Sequence, residues 1–240
     1  MKLDILVLPV HPDDAELGCA GTLLKHIAMG KTAGIVDLTR GELGTRGTPE
    51  IRMAEADEAG RILGLSVREN LALPDGFFEN TKEFQLKVIE AIRKYQPEII
   101  ITNALHDRHP DHGRANQLVE SAVFLSGLRR IETFDNNELQ QPWRPNLLLH
   151  FIQDRYIQPD ILIDITEHWD KKVESVMAFK SQFHNPEWKE DEPQTYISSP
   201  EFIKNVEARA LEYGKNIGVK YAEGFTSTKL LGVDNLFNLL

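Results

Sequence analysis

Leu3-Asp4-Ile5-Leu6-Val7-Leu8-Pro9-Val10-His11-Pro12-Asp13-Asp14 is the stretch that decides the fold. Its first eight residues form a nearly unbroken apolar run, as in a strand buried on both faces of a parallel sheet. Its last four set an imidazole and two carboxylates just past that strand. The pattern recurs almost a hundred residues later, where Ile99-Ile100-Ile101-Thr102-Asn103-Ala104 precedes His109-Pro110-Asp111-His112. In open parallel sheets, ligands and catalytic groups collect beyond the carboxyl ends of the strands. The two clusters can therefore meet in space.

Strand and helix patterns alternate outward from the first run. Ala15 to Met29 carries apolar residues at Leu17, Leu23, Leu24 and Ile27 and stops at Gly30, which predicts a helix. Ala33 to Leu38 reads as a strand. Pro49 to Leu63 reads as a helix, with proline in its first turn and Gly64 at its end. A helical stripe at Phe84, Val88, Ile89 and Ile92 precedes the strand Pro97 to Ala104, and His112 to Leu125 is helical again. Leu147 to Ile152 and Ile161 to Ile165 are short apolar runs, and helices are expected over His168 to Phe183 and Pro200 to Lys215. This alternation predicts one α/β domain over residues 1–240, with a mainly parallel sheet between two helical layers. Residues 132–145 are polar, and 184–200 form a long acidic loop of the kind that serves as a lid or binding loop. The apolar C-terminal segment, Leu230 to Leu240, is expected to cover a neighbouring surface.

Composition excludes several classes. Lys plus Arg total 27 against 37 Asp plus Glu, a formal net charge of −10, which argues against a nucleic-acid surface. The single cysteine, Cys19, rules out an internal disulfide and suits a reducing compartment. The start lacks a signal-peptide pattern, and no apolar run reaches the ~18 residues a membrane span needs. A cytoplasmic protein without membrane or nucleic-acid partners is expected, and a homo-oligomer stays open.

His11 and Asp14 can converge on one ion if the chain turns sharply from strand to helix, and His112 completes a two-histidine, one-carboxylate set. Three such ligands with an open position are a catalytic zinc pattern. Asp13, beside the ion, can act as general base toward a water there. His109, as an imidazolium, can donate to an oxyanion. Asp111 can accept from an imidazole N–H and fix its tautomer. The bland alternative makes Asp13 or Asp14 a helix cap. Two His-Pro-Asp clusters at two strand-to-helix turns outweigh it. His106, Asp107 and His150 are read as structural, and Cys19 as a small core residue.

The loop Thr39 to Thr48 holds three glycines with Arg40, Glu42 and Arg46, and Arg52 follows one helical turn on. Its glycines would let backbone approach a ligand, and an arginine fork would grip a carboxylate or phosphate. Arg108 is a further candidate anion contact. No Gly-x-Gly-x-x-Gly follows the first strand, which disfavours a dinucleotide module. A phosphoester hydrolase with two metals needs more bridging carboxylates than these motifs provide.

His11-Pro12-Asp13-Asp14 with Glu16-Leu17-Gly18 and Gly21-Thr22, joined to His109-Pro110-Asp111-His112, resembles the LmbE-like (PIG-L) family of zinc-dependent N-acetylglucosaminyl deacetylases. Asp37 to Gly47, Arg52, Asp75-Gly76-Phe77-Phe78, Ser126-Gly127-Leu128-Arg129-Arg130 and Ser181-Gln182-Phe183 extend the resemblance over nearly the whole chain. They resemble the branch that deacetylates N-acetylglucosaminyl-L-malate in bacillithiol biosynthesis. The resemblance implies a Rossmann-like fold and one zinc per chain, or ferrous iron in its place. It implies His11, Asp14 and His112 as ligands, Asp13 as base, and His109 as the group that holds the oxyanion and helps protonate the amine. Arg52 matches the position that meets the malate carboxylate. Relatives begin the first motif His-Pro-Asp-Asp-Glu, whereas Ala15 intervenes here before Glu16. Some place a tyrosine where this chain has Asp107.

Overall fold

The computed structural model describes residues 1–186 and 192–239. Strand β1 (Ile5–Leu8) leads to helix α1 (Asp14–Ala28), β2 (Ala33–Thr39), α2 (Pro49–Leu63), β3 (Val67–Leu73), α3 (Lys82–Tyr95), β4 (Ile99–Asn103) and α4 (Pro110–Ser126). A small hairpin follows, β5 (Phe134–Asp135) with β6 (Glu138–Leu139). Then come β7 (Leu147–Phe151), β8 (Ile161–Asp164), α5 (Trp169–Met177), α6 (Phe202–Ile217) and β9 (Ala222–Thr226). Seven strands form one sheet in the order β3-β2-β1-β4-β7-β9-β8. β1 pairs in parallel with β2 and β4, and β7 is parallel to β4. β9 runs antiparallel between β7 and β8. This is the Rossmann-like α/β fold the alternation predicts.

The period-two geometry of the strands divides the core. Leu6 and Leu8, with Val36, Leu38 and Ile100, pack against Val88, Ile89 and Ile92 of α3 and Leu118 and Val119 of α4. Ile5, Val7, Ile35 and Ile101 face the other way, onto Ala15, Cys19, Leu23 and Leu24 of α1. Cys19 is thus a core residue, as read. Burying each large aliphatic side chain is worth roughly 1.5–3 kcal/mol, so the central strands anchor everything attached to their ends. α2 and α5 add a further cluster around Leu17, Ile62, Trp169 and Phe179.

The structure departs from the sequence reading in several elements. β3 is a polar edge strand, Val-Arg-Glu-Asn-Leu-Ala-Leu, whose hydrophobic signal is weak. β9 hides a buried glutamate, Glu223, matched by Lys172 Nζ at 2.5 Å. α4 starts at Pro110, two residues early, because proline suits the first helical position. α5 ends at Met177 instead of reaching Phe183. Beyond it, Ser181 N and Oγ donate to Glu55, each at 2.7 Å, and Gln182 Nε2 donates to Arg46 O at 2.7 Å, so tertiary bonds replace the helical ladder. The polar segment 132–145 contains the small hairpin. The described parts of the 184–200 loop hold no helix or strand, and 187–191 lie outside the described residues. Leu230, Leu231, Val233, Leu236 and Phe237 of the apolar C-terminal segment are exposed on the single chain. Among the described residues no helix is long and apolar enough to cross a membrane.

Candidate active site

The chain leaves β1 toward β2 and β3 on one side and leaves β4 toward β7 on the other. The strand order therefore reverses between β1 and β4, which pair from Ile5↔Ile99 to Leu8↔Thr102. A crevice opens at such a reversal, beyond the carboxyl ends of the strands. Both His-Pro-Asp clusters lie in it. Asn103 joins the two strand ends: its Oδ1 accepts from Val10 N at 2.9 Å and its Nδ2 donates to Asp14 Oδ2 at 3.1 Å.

The turn from β1 into α1 is tight and strained. Asp13 has φ 119° and ψ −27°, a region that costs a non-glycine residue roughly 1–3 kcal/mol. Its carboxylate makes no capping bond to α1. Instead Asp13 Oδ2 accepts from Arg52 Nη2 at 3.1 Å. Asp14 Oδ2 turns back to accept from His11 N at 3.0 Å. One turn into α1, Gly18 lets the helix lie directly on the sheet, since a Cβ there would sit 2.3 Å from the Phe151 ring.

His11, Asp14 and His112 converge. Asp14 Oδ2 lies 3.6 Å from His11 Nδ1, and Oδ1 lies 3.3 Å from His112 Nε2. The rings of His11, His109 and His112 each offer a nitrogen within 4.8 Å of the others. The outward nitrogens are held by carboxylates, His11 Nε2 by Asp75 Oδ1 at 2.9 Å and His112 Nδ1 by Asp107 Oδ2 at 2.7 Å. That arrangement fixes each tautomer and turns the inward nitrogen toward Asp14, as in carboxylate–histidine–metal sites. Two neutral imidazoles and a carboxylate suit zinc, so the donor set fits the metal that the family resemblance implies.

Charges agree with this geometry. Burial opposes the cation on His11, yet the carboxylates of Asp111, Asp14 and Asp75 around it raise its pKa well above the usual value. Burial also works against charged His112, but Asp14 and Asp107 raise it to about 9. Burial raises Asp14, and the charges and bonds of His112 and His11 overcome that, holding it well below the carboxylate range. The two histidines are thus poised to exchange protons for a cation beside an already ionised Asp14.

Asp13 is different. Burial, opposed by Arg52 but aided by Asp14 and Glu16, pushes its pKa up to about 7. A carboxylate there is matched to proton transfer near neutrality. His109 caps α4, its Nδ1 accepting from Asp111 N at 3.3 Å, which leaves the proton on Nε2. Burial and the charges of His11 and His112 lower its pKa. Both effects favour the neutral imidazole over the imidazolium that the sequence suggested, and they leave the Nε2 proton free to be donated.

Four residues support the cluster in roles that the sequence did not reveal. Asp107, read as a structural bystander, orients His112 and corrects that reading. Asp75 makes the short bond to His11. The expected Asp111 stands 3.7 Å from His11 Nε2 and is committed to Gly76 N at 2.8 Å and Arg114 Nη1 at 2.5 Å. Asn103 supports Asp14, as does Gln153, whose Nε2 donates to Asp14 Oδ1 at 2.6 Å. Asn103 ends β4 and Asp107 lies between that strand and His109, so short polar residues at a strand end were the available signal. His106 is exposed, and His150 is buried with Asn116 Nδ2 at 2.7 Å from its Nδ1, a structural role as read.

His11, Asp13, Asp14, Asp75, His109 and His112 line a cavity of about 290 Å³, near the low end of the roughly 300–1,000 Å³ typical of small-molecule sites. Arg52, Arg108, Leu43 and Tyr196 also border it. Arg108 is half exposed, its Nε 3.5 Å from Asp154 Oδ2 and its guanidinium over the Tyr196 ring. Arg52 is buried at the back.

Residues 6–123 match the PIG-L family, described as GlcNAc-PI de-N-acetylase. With the site above, this defines a hydrolytic enzyme of the deacetylase class. A diacetylchitobiose deacetylase of Thermococcus kodakarensis is 28% identical over 92% of this chain and 81% of its own. A 4-oxalmesaconate hydratase of Pseudomonas putida is 24% identical, covering 96% and 91%. A probable N-acetyl-alpha-D-glucosaminyl L-malate deacetylase of Bacillus anthracis is 26% identical over 75% and 81%. The crystal structure of the conserved protein TT1542 from Thermus thermophilus superposes with a TM-score of 0.84 at 38% identity, covering 97% of this chain and 98% of that one. The chain belongs to the PIG-L family.

Proposed function

We propose that this deacetylase removes the acetyl group from an N-acetylglucosaminyl conjugate, specifically N-acetylglucosaminyl-L-malate, releasing acetate and a free amine. The observation that supports it most is a buried base, Asp13, set beside a carboxylate and two carboxylate-braced imidazoles in one cavity. His11, Asp14 and His112 would hold a divalent ion, with zinc the best match. Such an ion supplies Lewis acidity and a more acidic water when bound. Asp13 takes a proton from the attacking water as its oxygen bonds to the amide carbonyl carbon. His109 Nε2–H donates to the carbonyl oxygen as negative charge develops there. When the carbon–nitrogen bond breaks, the proton held by Asp13 passes to the departing nitrogen. Arg108 at the rim is the cation available to a carboxylate-bearing aglycone, whereas Arg52 at the back is bonded to Pro12 O, Asp13 and Gly41 O.

The test is incubation of the zinc-loaded protein with four compounds: N-acetylglucosaminyl-L-malate, diacetylchitobiose, N-acetylglucosamine and a generic phosphoester. Acetate from the malate conjugate, with much slower release from the other two amides, supports the reading. Preference for diacetylchitobiose would keep the deacetylase and discard the malate branch. Phosphate release alone would sink both. The hydratase relative shows that one fold carries more than one chemistry, so acetate is the product to follow.

A further inference from the structure

Arg52 is 5% exposed and is held on several sides. Its Nη2 donates to Pro12 O at 2.7 Å and to Asp13 Oδ2 at 3.1 Å, and its Nη1 donates to Gly41 O at 3.2 Å. The glycine-rich loop closes around this guanidinium. Gly41 has φ 64°, and a Cβ built on it would fall 2.0 Å from Arg52 Nη1; one on Gly44 would fall 3.2 Å away. Thr39 pins the start of that loop to the β1 end, its N and Oγ1 each donating to Val10 O at 3.0 Å. The loop's glycines thus admit an internal cation, where the sequence alone suggested an outside ligand. Pro12 O and Asp13 Oδ2 flank the strained φ of Asp13, so the same fork grips the backbone before the strain and the side chain after it.

The geometry points to Arg52 as a positioning residue that locks Asp13 in its left-handed conformation and ties the His11–Asp14 turn to the 39–48 loop. Lysine cannot replace it, because a point charge cannot hold Pro12 O, Asp13 and Gly41 O together in one plane. This rests on Asp13 being the base in the deacetylation proposed above. Displacing a reacting group by about 1 Å can cost 10²-fold in rate, which sets the size of the effect.

The experiment compares wild type, Arg52→Lys and Arg52→Gly, all zinc-loaded, on the malate conjugate and on diacetylchitobiose. We expect kcat to fall about 10²-fold on every substrate that wild type cleaves, with KM little changed and metal content kept at wild-type level. Millimolar guanidinium should restore part of the rate to Arg52→Gly and none to Asp13→Asn. Hydrogen exchange in Arg52→Lys should quicken together in peptides covering 10–17 and 39–48, a readout that needs no substrate. A rise in KM confined to the malate conjugate would make Arg52 a reader of the aglycone and overturn the proposal. Loss of metal or of folded protein in Arg52→Lys would overturn it too, by placing Arg52 in the scaffold. If wild type cleaves neither amide, the functional reading fails, and exchange unchanged in both peptides would separately end the positioning role.

Discussion

Asp107 Oδ2 sits 2.7 Å from His112 Nδ1, so the second histidine of the Asp14 cluster is aimed by a carboxylate five residues before it on the same strand-to-helix turn. Asp107 also accepts from Arg108 N at 2.7 Å and Arg155 N at 3.0 Å. It is a fixed post for the ring.

Removing that post should loosen the metal before it harms the fold. Asp107→Ala should weaken zinc affinity about 10–100-fold, the usual effect of losing a carboxylate behind a metal-binding histidine. Competition with a chromogenic chelator measures it. Affinity equal to wild type would mean Asp107 serves only the loop.

The adjacent aspartates should separate cleanly. Asp13→Asn should keep its metal and lose about 10²–10⁴-fold in turnover, since an amide cannot take the proton. Asp14→Asn and His112→Ala should each lose the metal and with it the activity. Elemental analysis beside steady-state rates decides, and metal-replete His112→Ala would end the ligand assignment.

Asp13 also predicts a pH effect on the metal-free protein. Its folded pKa, about 7, lies above the ordinary carboxylate value of 3.8. The folded state therefore binds the extra proton in that interval, and its contribution to stability, full below about pH 4, is lost as pH rises through 7. Asp13→Asn cannot titrate. Melting temperatures from pH 4 to 8 should show wild type falling relative to this variant, and parallel curves would contradict the shift.

Gly18 offers a packing test away from the chemistry. Gly18→Ala drives a methyl into the Phe151 ring, an overpacking that costs about 1–3 kcal/mol. Because α1 begins at Asp14, the same change should lower turnover as well as the denaturation midpoint. Unaltered stability would show that the helix can lift from the sheet without penalty.

Much of the fold was legible, because β1, β2 and β4 are buried on both faces and therefore mostly apolar. The site ligands were legible because each cluster sits at the end of such a strand. β3 and β9 were not. An edge strand can be polar, as Arg68, Glu69 and Asn70 are, and Glu223 is tolerated inside because Lys172 and the N–H groups of Gly21 and Thr22 bond its carboxylate. Asp75 lies past the end of β3, so it entered only through the family resemblance and its bond to His11 stayed hidden. The partner of Arg52 was illegible for another reason. Nothing in the spacing of Asp13, Gly41 and Arg52 tells that a guanidinium fills the loop, and only the folded backbone brings them together.

His11 and Asp14 follow β1 and His112 follows β4, and they face one another only across the seam between those strands. An ion held there is a clasp over the central joint of the sheet. An unfolded chain has no equivalent, so zinc at ~1,000 times its dissociation constant should add about 4 kcal/mol to unfolding. Chelation would then weaken the molecule first along its middle, not at its edges. For the cell, loss of zinc would silence the enzyme and mark it for proteolysis at the same moment.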